Sequence, residues 1–246
     1  MSDLVDNVVP SEKWEFNDAV ADCFENMLER SIPQYDVMRE SVANLAHDMI
    51  VKDKKQSFSL LDIGCSDGLM IGHIRNKFSD DNIAGIYTGI DVSEPMLKKA
   101  KLRFLDEILN KEISIENCDL RNSYPSGTYD IVTSVLSIQF TPIEYRQHII
   151  QNIYNSLRVT NGCFIMVEKI LGNTDTLNQL FVKNYYRMKS QNGYSDEQIE
   201  RKRLSLEGVL VPVTNDWNMA LLKQAGFKEV DVFWRWMNFV GYIAIK

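Results

Sequence analysis

The sequence predicts an α/β fold built on a mostly parallel seven-stranded sheet, with a C-terminal antiparallel hairpin and a helical cap. Three observations carry that expectation. The apolar run 58–63 ends in Gly64 and Gly68 and is followed by a helical stretch over 69–78, the pattern of a buried parallel strand, a tight turn and a helix. A second apolar run, 83–90, closes on an acid, Asp91. Strand-like and helix-like runs then alternate as far as residue 169, which implies right-handed crossovers and a parallel sheet.

The turn between the first strand and helix has a definite chemistry. Gly64 and Gly68 lack Cβ atoms, so the backbone can bend sharply and a ligand can lie against it. The free N–H groups of the following helix face that ligand. An acid at the tip of the second strand is placed to accept two hydrogen bonds from a ribose diol. The spacing Asp62-x-Gly64-x-Ser66-x-Gly68 departs from the G-x-G-x-x-G of dinucleotide sites. It resembles instead the D-x-G-x-G-x-G loop of class I S-adenosylmethionine (SAM) enzymes, with Ser66 in the place of the middle glycine. A glycine turn in some other α/β protein is the competing reading, and Asp91 and Asp119 downstream weigh against it.

The bulk numbers narrow the class. The chain has 246 residues, enough for one large domain with a substantial core. Hydrophobic residues at 45% and charged residues at 25% are ordinary for a globular protein, and the net charge of −7 argues against an extended phosphate-binding face. Direct nucleic-acid binding is therefore not expected. The four cysteines (Cys23, Cys65, Cys118, Cys163) are scattered without a C-x-x-C pair, which fits a reducing compartment and offers neither a disulfide nor a metal set. His47, His73 and His148 also lack metal spacing, so no metal is expected. With no basic segment leading an apolar core and no run of spanning length, the expected location is cytoplasmic, away from membranes.

Taken in order, 1–13 is polar and reads as loose. Val20, Phe24, Met27 and Leu28 recur at helical spacing over 17–30, and Ser31-Ile32-Pro33 breaks that helix. A second helix over 35–51 carries Met38, Val42, Leu45 and Met49 on one face. These two helices (17–51) precede the first strand and can fold over the mouth of the site as a lid. After Asp91, 94–109 is helical with Pro95 in its first turn. A third strand begins at 113–115 and closes at Cys118-Asp119-Leu120. A fourth strand covers 129–138, a helix 142–157 and a fifth strand 163–169. Residues 174–208 interrupt the alternation as an inserted helical cap, two helices over 176–190 and 195–206 parted by Asn192-Gly193. A helix over 216–225 stops at Gly226, and 230–236 and 239–245 form the closing hairpin. Trp234 and Trp236, on one face of it, read as packing residues. The whole chain, 1–246, reads as a single domain.

With these pieces placed, the chain resembles the carboxy-S-adenosylmethionine (carboxy-SAM) synthase family, which has the class I methyltransferase (Rossmann-like) fold. The resemblance runs from Trp14 to the C-terminus. It rests on Trp14-x-Phe16, Arg30-Ser31-Ile32-Pro33-x-Tyr35, Gly64-Cys65-Ser66, Ile138-Gln139-Phe140, Glu168-Lys169, Asn192-Gly193-Tyr194-Ser195, Lys202-Arg203, Ala225-Gly226-Phe227 and Asn238-Phe239. The glycine loop is common to many SAM enzymes, whereas the stretches beginning at Arg30 and Asn192 are far more particular. The resemblance implies an enzyme that converts SAM and prephenate to carboxy-SAM with release of phenylpyruvate. In that chemistry a methyl beside a sulfonium loses a proton and captures the carbon dioxide that prephenate releases. The product is used by a separate enzyme that modifies a tRNA wobble uridine. Carried over by position, Tyr35, Gly64, Cys65, Ser66, Asp91 and Asp119 hold the cofactor, SAM or carboxy-SAM. Gly68 shapes the turn, Val92 and Leu120 sandwich the adenine, and Val135, on the fourth strand, also faces the cofactor. Arg203 matches the family's arginine for the added carboxylate, which a guanidinium pairs in a bidentate manner. In relatives it reaches across a dimer, so the resemblance implies a homodimer.

Two positions depart from the family pattern. Val135 and Val92 both stand where the family has asparagine, and neither can donate or accept a hydrogen bond from its side chain. A second reading is therefore a SAM-dependent methyltransferase acting on a small molecule in the same pocket. A third, of another class, is a SAM-binding protein without catalysis that acts through its cap or dimer surface.

Overall fold

A computed structural model describes residues 5–10, 12–81 and 83–246. The chain begins with three helices, α1 (Asp18–Asp22), α2 (Phe24–Ser31) and α3 (Tyr35–Lys52). The helix expected over 17–30 is thus broken, at Cys23, whose φ of −122° is not helical. Then follow β1 (Ser57–Ile63), α4 (Leu69–Lys77), β2 (Ala84–Asp91), α5 (Glu94–Arg103), α6 (Leu105–Leu109), β3 (Ile113–Asn117) and β4 (Ile131–Val135). A single 3-10 turn, Ile138–Phe140, replaces the last part of the longer fourth strand that the apolar run suggested. The remaining elements are α7 (Ile143–Ser156), β5 (Cys163–Leu171), α8 (Asp175–Gln191), α9 (Asp196–Leu206), β6 (Val213–Thr214), α10 (Asn215–Ala225), β7 (Glu229–Trp236) and β8 (Phe239–Ile245).

The sheet has the order β3-β2-β1-β4-β5-β8-β7, parallel from β3 to β5, with β8 antiparallel to both β5 and β7. These are the seven strands the sequence predicts. The two-residue β6 is additional, and pairs with the end of β5 where the cap rejoins the sheet. The order reverses between β1 and β4, so the carboxyl ends of those strands open a crevice.

Side-chain alternation divides the core in two. Along β5, Cys163, Ile165 and Val167 pack on one face with α3 and α4, while Phe164 and Met166 pack on the other with α7 and α10. Both sets are fully buried, as a parallel strand covered on both faces requires. The break between α5 and α6 falls at Phe104, whose ring lies where a Cβ on Gly68 would come within 2.4 Å. The helix expected over 94–109 gives way there to a local packing demand.

The N-terminal segment read as loose is anchored. Residues 1–4 and 11 lie outside the described residues, but Asp6 is fully buried. Its N–H donates to Asn26 Oδ1 (2.9 Å), its C=O accepts from Arg30 Nη1 (2.9 Å), and its carboxylate accepts from the Tyr194 hydroxyl. No spacing rule places such an anchor, because its partners come from distant parts of the chain.

At the other end of the sheet Asp130 ties β1 to β4. Its carboxylate accepts from Ser59 N–H (2.8 Å) and Lys55 Nζ (2.7 Å) and pairs with Arg158 Nε (2.8 Å), while Asp130 N–H donates to Ser59 C=O (2.8 Å). Burial works to raise its pKa, but these donors and cations outweigh it and hold the group below the usual range. A carboxyl whose folded pKa is depressed contributes stability above its unfolded pKa of about 3.9 and loses it as pH falls through the folded value. Asp130→Asn is expected to lower unfolding free energy by about 1–3 kcal/mol at pH 7. In urea titrations that deficit should narrow progressively below about pH 4.

Candidate functional site

The crevice at the carboxyl ends of β1 and β4 deepens into a cavity of about 380 Å³, closed above by α2, the start of α3 and the cap helices. Its floor is the bend after β1. Gly64 has φ +68°, and a Cβ there would lie 2.0 Å from Ser137 Oγ, so only glycine allows the two strand ends to approach this closely. Ser137 comes so near because Leu136, just past the end of β4, is held at φ +56° with its N–H on Val167 C=O (2.7 Å). Ser66 also takes a positive φ, +51°, which turns its N–H toward Asp91.

Asp91 closes β2 and receives two backbone donors, Ser66 N–H on Oδ2 and Ser93 N–H on Oδ1, each at 2.9 Å. Burial nevertheless pushes its pKa up. The Val92 N–H also bears on this carboxylate, which still lines the cavity with acceptor capacity left for a ligand hydroxyl. Asp62, buried beneath the loop, accepts from Thr133 Oγ1 (2.7 Å) and is pushed up to about 7 by burial. Cys65 is buried between the strands, where burial drives its thiol well above the ordinary range, and it packs against Gly89. It touches the cavity as a small packing residue and is no nucleophile.

The structure brings together Tyr35, Gly64, Cys65, Ser66, Asp91, Val92, Asp119, Leu120 and Val135 on the cavity wall. Two expected residues fall elsewhere. Gly68 does not line the cavity; its φ of +84° and its packing under Phe104 make it the residue that starts α4. Arg203 also lies outside the cavity of its own chain, on the exposed face of α9, where it makes a two-pronged pair with Glu200 (2.9 and 2.8 Å). Asp119 is at the wall, but Arg121 Nε and Nη2 hold its carboxylate at 2.6–3.0 Å, which lowers its pKa. That pairing engages the Asp119 carboxylate within the chain, while Leu120 beside it also lines the cavity.

Sequence reasoning missed the other wall. Lys169, Tyr185, Lys189, Lys202 and Phe239 line the side of the cavity beyond β4. Lys202 faces inward from α9, its Nζ 4.5 Å from the Trp14 ring centroid and 3.6 Å from Asp6 Oδ2, whereas Arg201 and Arg203 on either side face solvent. Helical rotation of about 100° per residue turns one member of the Arg201-Lys202-Arg203 run away from its neighbours.

The lid and cap are joined by the stretches that were most particular in sequence. Arg30 Nε donates to Asn192 C=O (2.9 Å), Asn192 Nδ2 donates to Arg30 C=O (3.0 Å), and the Arg30 guanidinium stands 4.1 Å from the Tyr194 ring centroid. Ser31 Oγ donates to the Tyr194 hydroxyl (3.2 Å). A second pair meets beneath the cavity. Gln139 Oε1 accepts from Lys169 N–H (2.7 Å), and the adjacent Glu168 accepts from the backbone N–H groups of the 3-10 turn. Burial pushes Glu168 up to about 8.

These features fit an adenosyl ligand: a strand bend without a Cβ, a half-buried acid on the wall beside it, and a cavity of adequate volume. Comparison with known proteins agrees. Residues 61–164 match the methyltransferase domain family. Among solved structures, the DszA carbon methyltransferase superposes with a TM-score of 0.65 at 14% identity, over 93% of this chain and 59% of that one. Human N-acetylserotonin methyltransferase, solved with SAM, superposes at 0.59 and 15% identity over 93% and 55% of the two chains. These likenesses establish the fold. Sequence relatives are nearer: the carboxy-S-adenosyl-L-methionine synthase of Nautilia profundicola is 35% identical over 100% of both chains. That of Methylococcus capsulatus is 32% identical over 96% of this chain and 94% of its own. The chain belongs to the carboxy-S-adenosyl-L-methionine synthase family.

Proposed function

We propose that the protein converts SAM and prephenate to carboxy-SAM, phenylpyruvate and water, providing the carboxylated sulfonium for a separate tRNA wobble-uridine enzyme. The observation that carries this reading is the pairing, in one cavity, of an adenosyl cradle at Gly64 and Asp91 with a wall of buried cations. An ordinary methyl transfer has no need of buried cations opposite the nucleoside, whereas a reaction that consumes and forms carboxylates does. The sulfonium supplies an acidified methyl group that exchanges a proton for a carboxyl group.

The chain's own residues divide that task. Asp91 takes the sugar hydroxyls, the Leu120 backbone the adenine edge, and Val92 and Leu120 the ring faces. Gly64 lets the ligand backbone pass over β1 toward β4. The lid, α1 to α3, and the cap, α8 and α9, keep water from the reacting carbon, since a wet site would protonate it before carbon dioxide could be captured. The proposed assembly is a homodimer in the cytoplasm, in which Arg203 releases Glu200 and reaches the carboxylate in the cavity of the second copy. The acidity of the chain supports a protein that does not itself bind nucleic acid.

Val135 supports a second reading, since it presents an apolar wall where the family pattern has an amide. That reading is a methyltransferase with a small-molecule acceptor. Mass spectrometry of the nucleoside that co-purifies with the protein separates the two: carboxy-SAM is expected, and SAM or its demethylated product alone favours methyl transfer.

Asp91→Ala should weaken SAM and carboxy-SAM alike by roughly ten- to a hundredfold in calorimetric titration, the loss of charge-assisted hydrogen bonds worth about 1.5–3 kcal/mol. Unchanged affinity would remove Asp91 from the site. Arg203→Ala should cost carboxy-SAM at least tenfold in Kd while leaving SAM within about twofold. An equal loss for both ligands would contradict its role at the added carboxylate.

A further inference from the structure

The cavity has an acidic and a basic side. Asp62, Asp91 and Asp119 stand at the ends of β1 and β2 and after β3, the half assigned to the nucleoside. Across β4 stand Lys169 at the end of β5, Lys189 on α8 and Lys202 on α9. Lys202 has a counter-charge in Asp6. Lys189 feels the same carboxylate only at longer range, without contact, and burial alone acts on Lys169. Among the described residues the ammonium groups of Lys169 and Lys189 make no ion pair or hydrogen bond, and their nearest partners are ring faces. Lys169 Nζ lies 4.6 Å from the Tyr185 centroid and 6.0 Å from that of Phe239; Lys189 Nζ lies 4.6 Å from Tyr194 and 5.8 Å from Tyr185.

This arrangement is expensive in the absence of an anion. Lys189 is only 4% exposed. Taking an ammonium out of water costs several kcal/mol, and a ring face returns about 2 kcal/mol or less. Burial accordingly lowers the pKa of Lys169 to about 8 and that of Lys189 to about 7, the latter also pressed by Lys202 and Lys169. Two such groups flanking one aromatic ring, open to a cavity and without a protein partner, match a ligand that brings two negative charges and an unsaturated body. The nucleoside side is already provided for, so that ligand is the second substrate.

We propose that Lys169 and Lys189 form the carboxylate subsite for the carbon donor, a dicarboxylate whose ring lies against Tyr185 and Phe239. This rests on the reading under Proposed function, but makes a separate claim about which side chains recognise the donor. The amino acid carboxylate of SAM is the competing occupant, and the two make different predictions. A lysine serving the donor affects donor affinity at saturating SAM, whereas one serving SAM affects the Kd of SAM.

The test uses the full-length protein and two probes, phenylsuccinate as a dianion and phenylacetate as a monoanion, titrated calorimetrically into SAM-saturated enzyme. Phenylsuccinate is expected to bind at least tenfold more tightly. That preference should fall to about twofold or less in Lys169→Met and Lys189→Met, with the Kd of SAM within about twofold of the wild type. Lys189→Arg should retain the preference. The methionine replacements are of similar volume and remove a buried charge, so melting temperatures equal to or above the wild type are expected. If either fails to fold, Lys169→Gln and Lys189→Gln repeat the measurement. Equal affinity for the two probes, a preference that survives in the variants, or a loss confined to SAM would each overturn the assignment. If wild-type enzyme forms no carboxy-SAM from prephenate yet prefers the dianion in a lysine-dependent way, the function under Proposed function fails while the subsite stands.

Discussion

The close approach of β1 and β4 at Gly64 and Ser137 is the constraint on which the rest of the site depends. With a side chain at Gly64, Ser137 would have to withdraw, and with it the Leu136 turn and the 3-10 turn that Glu168 holds from below. The crevice exists because two parallel strands diverge there, and it stays narrow because one of them has no Cβ at the point of contact. Ser66 and Asp91 are positioned by the same bend. The turn that aims Ser66 N–H at the Asp91 carboxylate fixes that acid at the cavity wall.

Above this floor the enclosure is made by segments far apart in the chain. Arg30 and Ser31 at the end of α2 bond to Asn192 and Tyr194 between α8 and α9, and Asp6 is buried under the same tyrosine. The lid and cap are therefore one structure, joined by a small polar network in which Asp6, Ser31 and Tyr194 are buried and paired while Arg30 and Asn192 bond at its edge. Phe16, edge-on to Phe140 with ring centroids 5.2 Å apart, adds an apolar ceiling to it. An acidic half and a basic half are thereby held in one low-dielectric space, where each charge acts more strongly than it would in solvent.

The parts of this arrangement that are local were legible in the sequence. The strands could be read because burial on both faces demands unbroken apolar runs, and the glycine turn because no other residue accepts that bend. Asp91 could be read because a strand end fixes where its last side chain points. Boundaries set by tertiary packing were not legible: the break at Cys23, the break at Phe104 and the early end of β4 at Val135 all interrupt runs whose periodicity continues through them. In the run Arg201-Lys202-Arg203 a charge count sees three equivalent cations, and only the packing of α9 separates one that faces the cavity from two that face water.

By itself, then, the chain determined its sheet, its glycine bend with the acid beside it, and its kinship, because these depend on neighbours within a few residues or on motifs that keep their spacing. Tertiary structure alone decided which charged groups are stripped of water and left unpaired. Lys169 and Lys189 belong to different elements and meet only when the cap folds over β5. Burial is a property of the surroundings, and a lysine's surroundings are not written next to it in sequence.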